Sequence, residues 1–376
     1  MNVLILRSNP IAPDPRVEKI ARALCQQGWR VEVLGWDRTA ALPSPVQTDF
    51  GVVHRLPIRA RFGSGLGNLP QLLRWQVGLF LWLVRHQKDF QAVHACDFDT
   101  VLPALLIGRL RKIPLIYDIF DFYADHLRRT PNWIKSLIRK VDLWVIGQVD
   151  AVILVDDSRR SQIAGSKPRL LEVVYNSPED WHPDGNVEKV DQFSLRIAYI
   201  GLLQKERGIF ELLDVLQTHP EWGLDVAGFG GDENEIRERI ASLPNVRWHG
   251  RIPYETALGL SAGADVLIAT YDPGIPNHRY SSPNKIFEAM MLARPIIVAK
   301  DTNMDRIIQR YNCGVIVPYG DRAALEEALR FLECNPDQRR QMGQNGRMAY
   351  ETQYGWPIMK ERLIRLYEKV VKDRIG

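Results

Sequence analysis

Short apolar runs alternate with helix-spaced amphipathic segments along most of the 376-residue chain. In the first half VLIL (3–6), RVEVLGW (30–36), AVHAC (92–96), IPLIYDI (113–119) and AVILVDD (151–157) read as buried strands. Helical spacing over 14–27 and from Thr100 onward lies among them, and 69–85 reads as a further helix, buried or interfacial. Strands alternating with helices predict a parallel sheet. LEVVYN (171–176) closes this half, and the polar, turn-rich stretch 179–189 reads as a linker.

The alternation then restarts with LRIAYIG (195–201), a helix near 207–218, LDVAG (224–228), a helix at 233–242, VRWHG (246–250), a helix near 254–262 and ADVLIAT (264–270). SSPNKIFEAMMLARPIIVA (281–299) reads as loop, helix and strand in that order, and 356–371 reads as an amphipathic terminal helix. The expected fold is α/β: a Rossmann-like domain over 1–175, a second over 176–355, and a helix over 356–376 that packs back on the first. Doubly wound sheets bind ligands outside the carboxyl ends of their strands. Two such domains facing a central cleft suit a transfer reaction.

A hydrophobic fraction of 45% with 25% charged residues is that of a globular protein and excludes disordered or fibrous chains. Cys25, Cys96, Cys313 and Cys334 follow no metal or redox spacing and read as reduced thiols. Met1 leads directly into an apolar strand with no basic n-region, which predicts a cytoplasmic protein. The apolar 69–85 segment carries Arg74 and Gln76 and is short for a membrane span. Charge is unevenly shared. Residues 1–175 hold 24 Lys+Arg against 16 Asp+Glu, or +8, which leaves 25 against 29, or −4, for the rest. Arg59, Arg61, Arg128, Arg129, Lys135, Arg139 and Lys140 interleave with Trp75, Trp82, Trp133 and Trp144. Two readings fit: an ordinary solvated basic face, or peripheral association with an anionic membrane, which would place the protein at its inner face. No nucleic-acid partner is expected.

Three strand-to-helix junctions of the second half offer helix N-termini to an anion: 199–209, 226–233 and the SSPNK loop. Gly201, Gly228 and Gly230 leave room for a ligand to approach the backbone. Lys285 suits a phosphate, and Glu288, one turn on, suits a ribose diol. Without the surrounding pattern the two read equally as an i,i+3 pair on an exposed turn. SSPNKIFEAMMLARPIIVA together with CGVIVPYGD (313–321), YIGLLQKERGIFELL (199–213) and AVILVDDSRR (151–160) resembles glycosyltransferase family 4 over nearly the whole chain. The resemblance implies the GT-B architecture and a retaining, metal-independent transferase without a cofactor, the nucleotide sugar being a co-substrate. The acceptor would lie on the N-terminal domain and the donor on the C-terminal one.

Carried over by position, Glu288 matches the family's ribose-holding carboxylate, the last Glu of a Glu-x7-Glu motif whose first Glu falls at Tyr280 here. Ser282, Pro283, Asn284 and Lys285 would supply contacts in its place. Of the family's diphosphate-neutralising Arg and Lys, the first position reads Leu202 and the second Arg207, with Lys205 or Lys285 available for the missing charge. HGRIP (249–253) matches the base-reading loop, flanked by His249 and Arg251. On the acceptor side Asp118 and Asp121 match an acidic patch, with Asp121 placed to position or deprotonate an acceptor hydroxyl or to cap a helix. Phe120 stands where many relatives carry a His. Arg16 fits either an anionic acceptor or a surface salt bridge. Asp97 and Asp99 look like a metal-binding Asp-x-Asp but lie in the wrong half for the donor, so they line the acceptor side or cap the helix from Thr100. The absence of Gly-x-Gly-x-x-Gly after the first strand and of a Walker sequence counts against a nicotinamide dinucleotide site and a P-loop enzyme. The expected activity is hexosyl transfer, perhaps of glucose, with a UDP-sugar favoured over other donors, to a glycan or lipid-linked acceptor. A nucleotide-sugar epimerase of the same fold and a non-catalytic two-lobed scaffold are the alternatives.

Overall fold

A computed structural model describes residues 1–61, 68–127, 130–182, 192–280 and 282–375. Arg128, Arg129, Ser281 and most of the 179–189 linker (183–189) lie outside the described residues. The chain forms two compact units, Met1–Tyr175 with Lys360–Gly376, and Asn176–Met359.

Unit 1 contains β1 (Asn2–Arg7), α1 (Pro15–Cys25), β2 (Arg30–Asp37), β3 (Val46–Thr48), β4 (Gly51–Pro57), α2 (Leu69–His86), β5 (Ala92–Cys96), α3 (Phe98–Arg111), β6 (Leu115–Ile119), α4 (Tyr123–His126), α5 (Asn132–Ile146), β7 (Ala151–Leu154) and β8 (Leu171–Val173). Its strand order is β3-β4-β2-β1-β5-β6-β7-β8. Only β3 with β4 runs antiparallel, Val46 facing Val53. That edge pair is missing from the alternation read above, because β3 is three residues long and its turn at Asp49 and Phe50 joins it directly to β4. One face of the sheet packs against α2, α3 and α5 around Trp36 and Trp75, whose rings stack at 5.2 Å. Trp75 is thus a core residue rather than part of an interleaved basic surface.

Unit 2 contains β9 (Leu195–Leu202), α6 (Ile209–Thr218), β10 (Trp222–Phe229), α7 (Glu233–Ile240), β11 (Val246–Gly250), α8 (Tyr254–Gly263), β12 (Val266–Ala269), α9 (Pro276–Arg279), α10 (Asn284–Met291), β13 (Ile296–Ala299), α11 (Met304–Tyr311), β14 (Gly314–Val317), α12 (Arg322–Cys334) and α13 (Pro336–Ala349). The final helix, α14 (Trp356–Ile375), joins unit 1 from Lys360. The all-parallel sheet of unit 2 has the order β11-β10-β9-β12-β13-β14, which counted within the unit is the 3-2-1-4-5-6 order of dinucleotide-binding sheets. β-Branched and aliphatic residues fill its strands because both faces are covered.

The carboxyl ends of the central strands are brought together by missing side chains. Gly228, the next-to-last residue of β10, has φ +148°, and a Cβ built on it would lie 1.8 Å from the carbonyl oxygen of Gly201. A Cβ at Gly230 would lie 2.2 Å from the carbonyl oxygen of Leu203. These two glycines therefore let neighbouring backbone approach, which corrects the expectation that they open space for a ligand. Gly228→Ala combines backbone strain with a backbone clash and is expected to lower unfolding free energy by roughly 3 kcal/mol in urea denaturation. An alanine variant as stable as the parent would mean that the two strand ends do not meet in this way.

Candidate active site

In unit 2 the strand order reverses between β9 and β12, the place where doubly wound sheets leave a ligand crevice. Two cations converge there. Lys285, in the first turn of α10, runs back over Gly201: a Cβ at Gly201 would stand 2.7 Å from Lys285 Cε. Its Nζ lies 4.1 Å from the centre of the Tyr199 ring and 5.8 Å from that of Tyr271. Arg207 closes a short 3-10 turn, Lys205–Arg207, and lies over the Tyr271 ring at 4.0 Å. The turn passes into α6 through Gly208, at φ +69°, where a Cβ would lie 2.2 Å from Thr270 Oγ1.

Several polar atoms converge in this crevice without partners. Lys285 Nζ, Arg207 Nε, Thr270 Oγ1 and Ser282 Oγ are buried with no hydrogen-bond partner among the described residues. Burial, with Arg207 close by, pushes the Lys285 ammonium down to about 7 against the partial opposition of Glu288. Buried polar atoms in native structures are ordinarily hydrogen-bonded. A cluster of donors left over after folding, at the crevice of the sheet, is the signature of a site built for an anion. Lys205 plays no part in it: its Nζ pairs with Glu235 at 3.1 Å and its backbone N–H donates to Asp232. Of the two lysines open in the sequence reading, Lys285 is the one that lies over Gly201 at the end of β9.

Around these cations the other expected donor residues are spread. Pro283 caps α10 and Asn284 opens it, so Ser282 to Lys285 form one continuous turn beside the crevice. Glu288 accepts a 2.8 Å hydrogen bond from the Tyr254 hydroxyl, at the first residue of α8. His249 is turned into the sheet, where its Nε2 meets the buried Asp225 carboxylate at 2.8 Å. This corrects its assignment to the base-reading edge. Arg251 is exposed and stacks on the ring of Phe229 at 4.8 Å, a flat surface at the ends of β10 and β11. Tyr280, in the position of the family's first Glu, follows α9. Sequence reasoning passed over Tyr199, Thr270, Tyr271, Tyr254 and Phe229. The first three sit at strand ends and look like core residues in sequence, whereas Tyr254 follows HGRIP directly and was open to notice.

In unit 1 the corresponding point lies between β1 and β5, and it is occupied by the chain's own charges. Arg7, the last residue of β1, donates to Asp14 at 3.0 Å and to Asp97. Asp97 Oδ1 in turn accepts from the backbone N–H groups of Phe120 at 2.8 Å and Asp121 at 3.3 Å. Burial, with Asp99 and Asp121 nearby and Arg7 opposing, pushes the Asp97 carboxyl up to about 6. Asp97 ties the loop after β6 and does not cap α3, and the described residues hold no metal-binding group at Asp97 and Asp99 or elsewhere.

Arg16 and Asp118 form a bidentate pair at 3.1 and 2.9 Å, 4% and 0% exposed, and Arg16 also donates to the Val174 carbonyl. His94 Nε2 stands 3.3 Å from Asp118, and His94 Nδ1 is hydrogen-bonded to the Tyr367 hydroxyl at 2.8 Å. Burial favours the neutral Asp118 carboxyl, but Arg16 and His94 hold it below the usual carboxylate range. Neither Arg16 nor Asp118 faces solvent, which corrects their assignment to acceptor binding and to catalysis. Asp121 differs: half-exposed, it accepts from the buried Arg159 at 2.9 Å. The ring of Phe120 lies against Arg7 at 4.1 Å and Arg16 at 5.0 Å, packing where relatives carry a His.

Two stability measurements test these assignments. Asp118→Ala leaves a buried guanidinium unpaired and is expected to cost about 3–5 kcal/mol. Lys285→Met should act in the opposite direction. An ammonium whose pKa falls to about 7 on folding penalises the native state fully below pH 7. That penalty shrinks as pH rises from 7 toward the unfolded value, about 10.4. The methionine variant should therefore melt about 2–4 °C or more above the parent at pH 6, and the gap should narrow by pH 9. A gap that does not change with pH would show that the lysine is not buried as a cation.

Comparison with known proteins finds a glycosyl transferase family model on each half. Residues 12–177 match the glycosyl transferase 4-like domain and residues 186–349 match glycosyl transferases group 1. D-rhamnosyltransferase WbpZ of Pseudomonas aeruginosa is 24% identical over 245 residues, 62% of this chain and 62% of that protein. Phosphatidyl-myo-inositol mannosyltransferase of Mycobacterium leprae is 28% identical over 305 residues, 77% of this chain and 75% of that one. Among solved structures, sucrose-phosphate synthase from Thermosynechococcus elongatus superposes with a TM-score of 0.77 at 15% identity, covering 99% of this chain and 100% of that one. Anabaena HepE in complex with UDP-glucose does so with a TM-score of 0.72 at 14% identity, over 98% and 100%. With a Rossmann-like sheet in each unit and a family match on each, the chain belongs to glycosyltransferase family 4, enzymes of the GT-B fold.

Proposed function

We propose that this enzyme transfers a hexosyl group, with retention at the anomeric carbon and without a metal, from a nucleoside diphosphate sugar to a hydroxyl of a glycan or lipid-linked acceptor. One observation carries the reading: Lys285 Nζ, Arg207 Nε, Thr270 Oγ1 and Ser282 Oγ, near the switch point of unit 2, are buried without hydrogen-bond partners among the described residues. A diphosphate supplies the acceptor oxygens that these groups lack, and its negative charge offsets the repulsion between the two cations. Glu288, with Tyr254, takes the ribose. Phe229 and Arg251 offer the base a stacking surface. A uridine base is favoured because HepE, of the same fold, is known in complex with UDP-glucose. The names of the relatives include rhamnosyl and mannosyl transfer, so the sugar is set by residues outside the diphosphate cradle.

In the reaction the bond from the anomeric carbon to the leaving phosphate oxygen breaks and the bond to the acceptor oxygen forms on the same face. The acceptor's proton passes to the leaving phosphate oxygen. Lys285 and Arg207 stabilise the negative charge that develops on that phosphate, the effect for which preorganised cations are most effective. Asp121, held by Arg159, orients the acceptor hydroxyl. A lipid-linked acceptor would bring the enzyme to a membrane surface.

Thermal stabilisation tests the donor assignment. UDP at a hundred times its Kd should add about 2.7 kcal/mol to stability. Lys285→Ala and Glu288→Ala should each remove most of that gain, Lys285→Ala without lowering the melting temperature of the unliganded protein. Because Lys285 must carry its proton to bind phosphate, UDP affinity should weaken as pH rises above 7, by up to about tenfold per pH unit. Proton NMR of the product reads its configuration, and an inverted anomeric centre would refute same-face transfer.

A further inference from the structure

We propose that the face of unit 1 formed by α2, α3 and α5 docks on an anionic phospholipid surface. The inference gives the membrane part of the proposed function a location, and it does not need the donor assignment.

The sequence of α2 is apolar on two sides. Trp75, Leu79 and Leu83 are buried in the core, while Leu73, Val77, Leu81 and Val84 form a second stripe that is exposed, Leu81 to 60%. A surface helix ordinarily presents polar residues opposite its buried stripe. Its neighbour α3 exposes Leu106 and Leu110, the latter to 74%, and α5 exposes Trp133, Leu137 and Trp144, with Trp133 at 70%. All three helices pack on one face of the sheet in a single core. At the surface the guanidinium of Arg109 on α3 lies 5.6 Å from the ring of Trp144 on α5, so the exposed residues of these helices adjoin. Exposed apolar area of this extent on a soluble unit marks an interaction surface.

Charge selects the occupant. Arg74, Arg85, Arg109, Arg111 and Lys140 are exposed on the three helices, and no acidic side chain on them is. Their two carboxylates are placed elsewhere: Asp142 is buried, accepting from the Tyr117 hydroxyl at 2.9 Å, and Asp99 sits in the first turn of α3. Where α2 and α3 end, Lys88, Arg111 and Lys112 line an open cavity of about 630 Å³ with Gln87 and Gln91, room for a phosphate-bearing headgroup. Cations around apolar and Trp side chains are the composition of a helix face lying in the interfacial layer of an anionic bilayer. A second copy of the chain fits less well, because a two-fold interface would set one acid-free basic face against another. No helix among the described residues is long and apolar enough to cross a membrane, so the contact is lateral.

Flotation of the full chain on phosphatidylcholine vesicles, with and without phosphatidylglycerol, at low and high salt, tests the proposal. Binding should require the anionic lipid and weaken at high salt. Two double variants of exposed residues, Leu81→Glu with Leu110→Glu and Arg74→Glu with Arg109→Glu, should each cut binding about tenfold or more. Both should keep the parent's melting temperature and its stabilisation by UDP, which separates a failure of this face from a failure of the donor site. Equal binding to neutral vesicles, or variants that float like the parent, would overturn the proposal. So would light scattering that shows a stable dimer which the leucine variants dissociate, since the face would then be covered by a second copy.

Discussion

Two positive charges share one aromatic pocket at the centre of unit 2, and the local structure is arranged around that repulsion. The rings of Tyr199 and Tyr271 lie close to Lys285 and Arg207 and offer each cation an electron-rich face. That attraction is weaker than a hydrogen-bonded carboxylate would provide, so the pocket folds with its charge only partly offset, by Glu288. The arrangement also depends on absent side chains: Gly201 gives Lys285 its path and Gly208 lets the Arg207 turn approach Thr270. Function and stability therefore oppose each other at this point, as they do wherever a site is held ready for a charged ligand.

The two units solve the same topological problem with opposite electrostatics. Both have a strand-order reversal with polar residues at the strand ends. In unit 1 the charges are matched: Arg7 with Asp14 and Asp97, Arg16 with Asp118 and His94, Arg159 with Asp121. Such a network fixes the loop after β6 and leaves only Asp121 substantially exposed. At the switch point of unit 2, Lys285 Nζ and Arg207 Nε have no carboxylate in hydrogen-bond contact among the described residues. One set of strand ends is neutralised by its own ion pairs, and the other gathers two cations against aromatic rings.

Much of the fold was legible because strand and helix periods are local properties. The parallel alternation and the helix that follows Pro283 can each be read within a few neighbouring residues. Pairings over distance could not be read. Arg16 and Asp118 are 102 residues apart, and nothing near either one shows that it is a buried partner rather than a surface charge. Gly228 looked like a ligand glycine because sequence does not show that the carbonyl of Gly201 fills its space. Tyr199 and Tyr271 looked like core residues, and they are buried; their role lies in which face of the ring a cation reaches, a matter of tertiary geometry. The β3–β4 pair was lost through its brevity.

The hydrogen bond between Tyr367 and His94 has a consequence for biosynthesis. Tyr367 comes from the last helix, stacks near Trp29 and His94, and completes the chain of contacts that runs through His94 to Asp118 and Arg16. On the ribosome every residue of unit 2 is made before this tyrosine emerges. The unit encoded first is therefore the last to be completed, and until then the buried ends of its central strands await a partner that has yet to be translated.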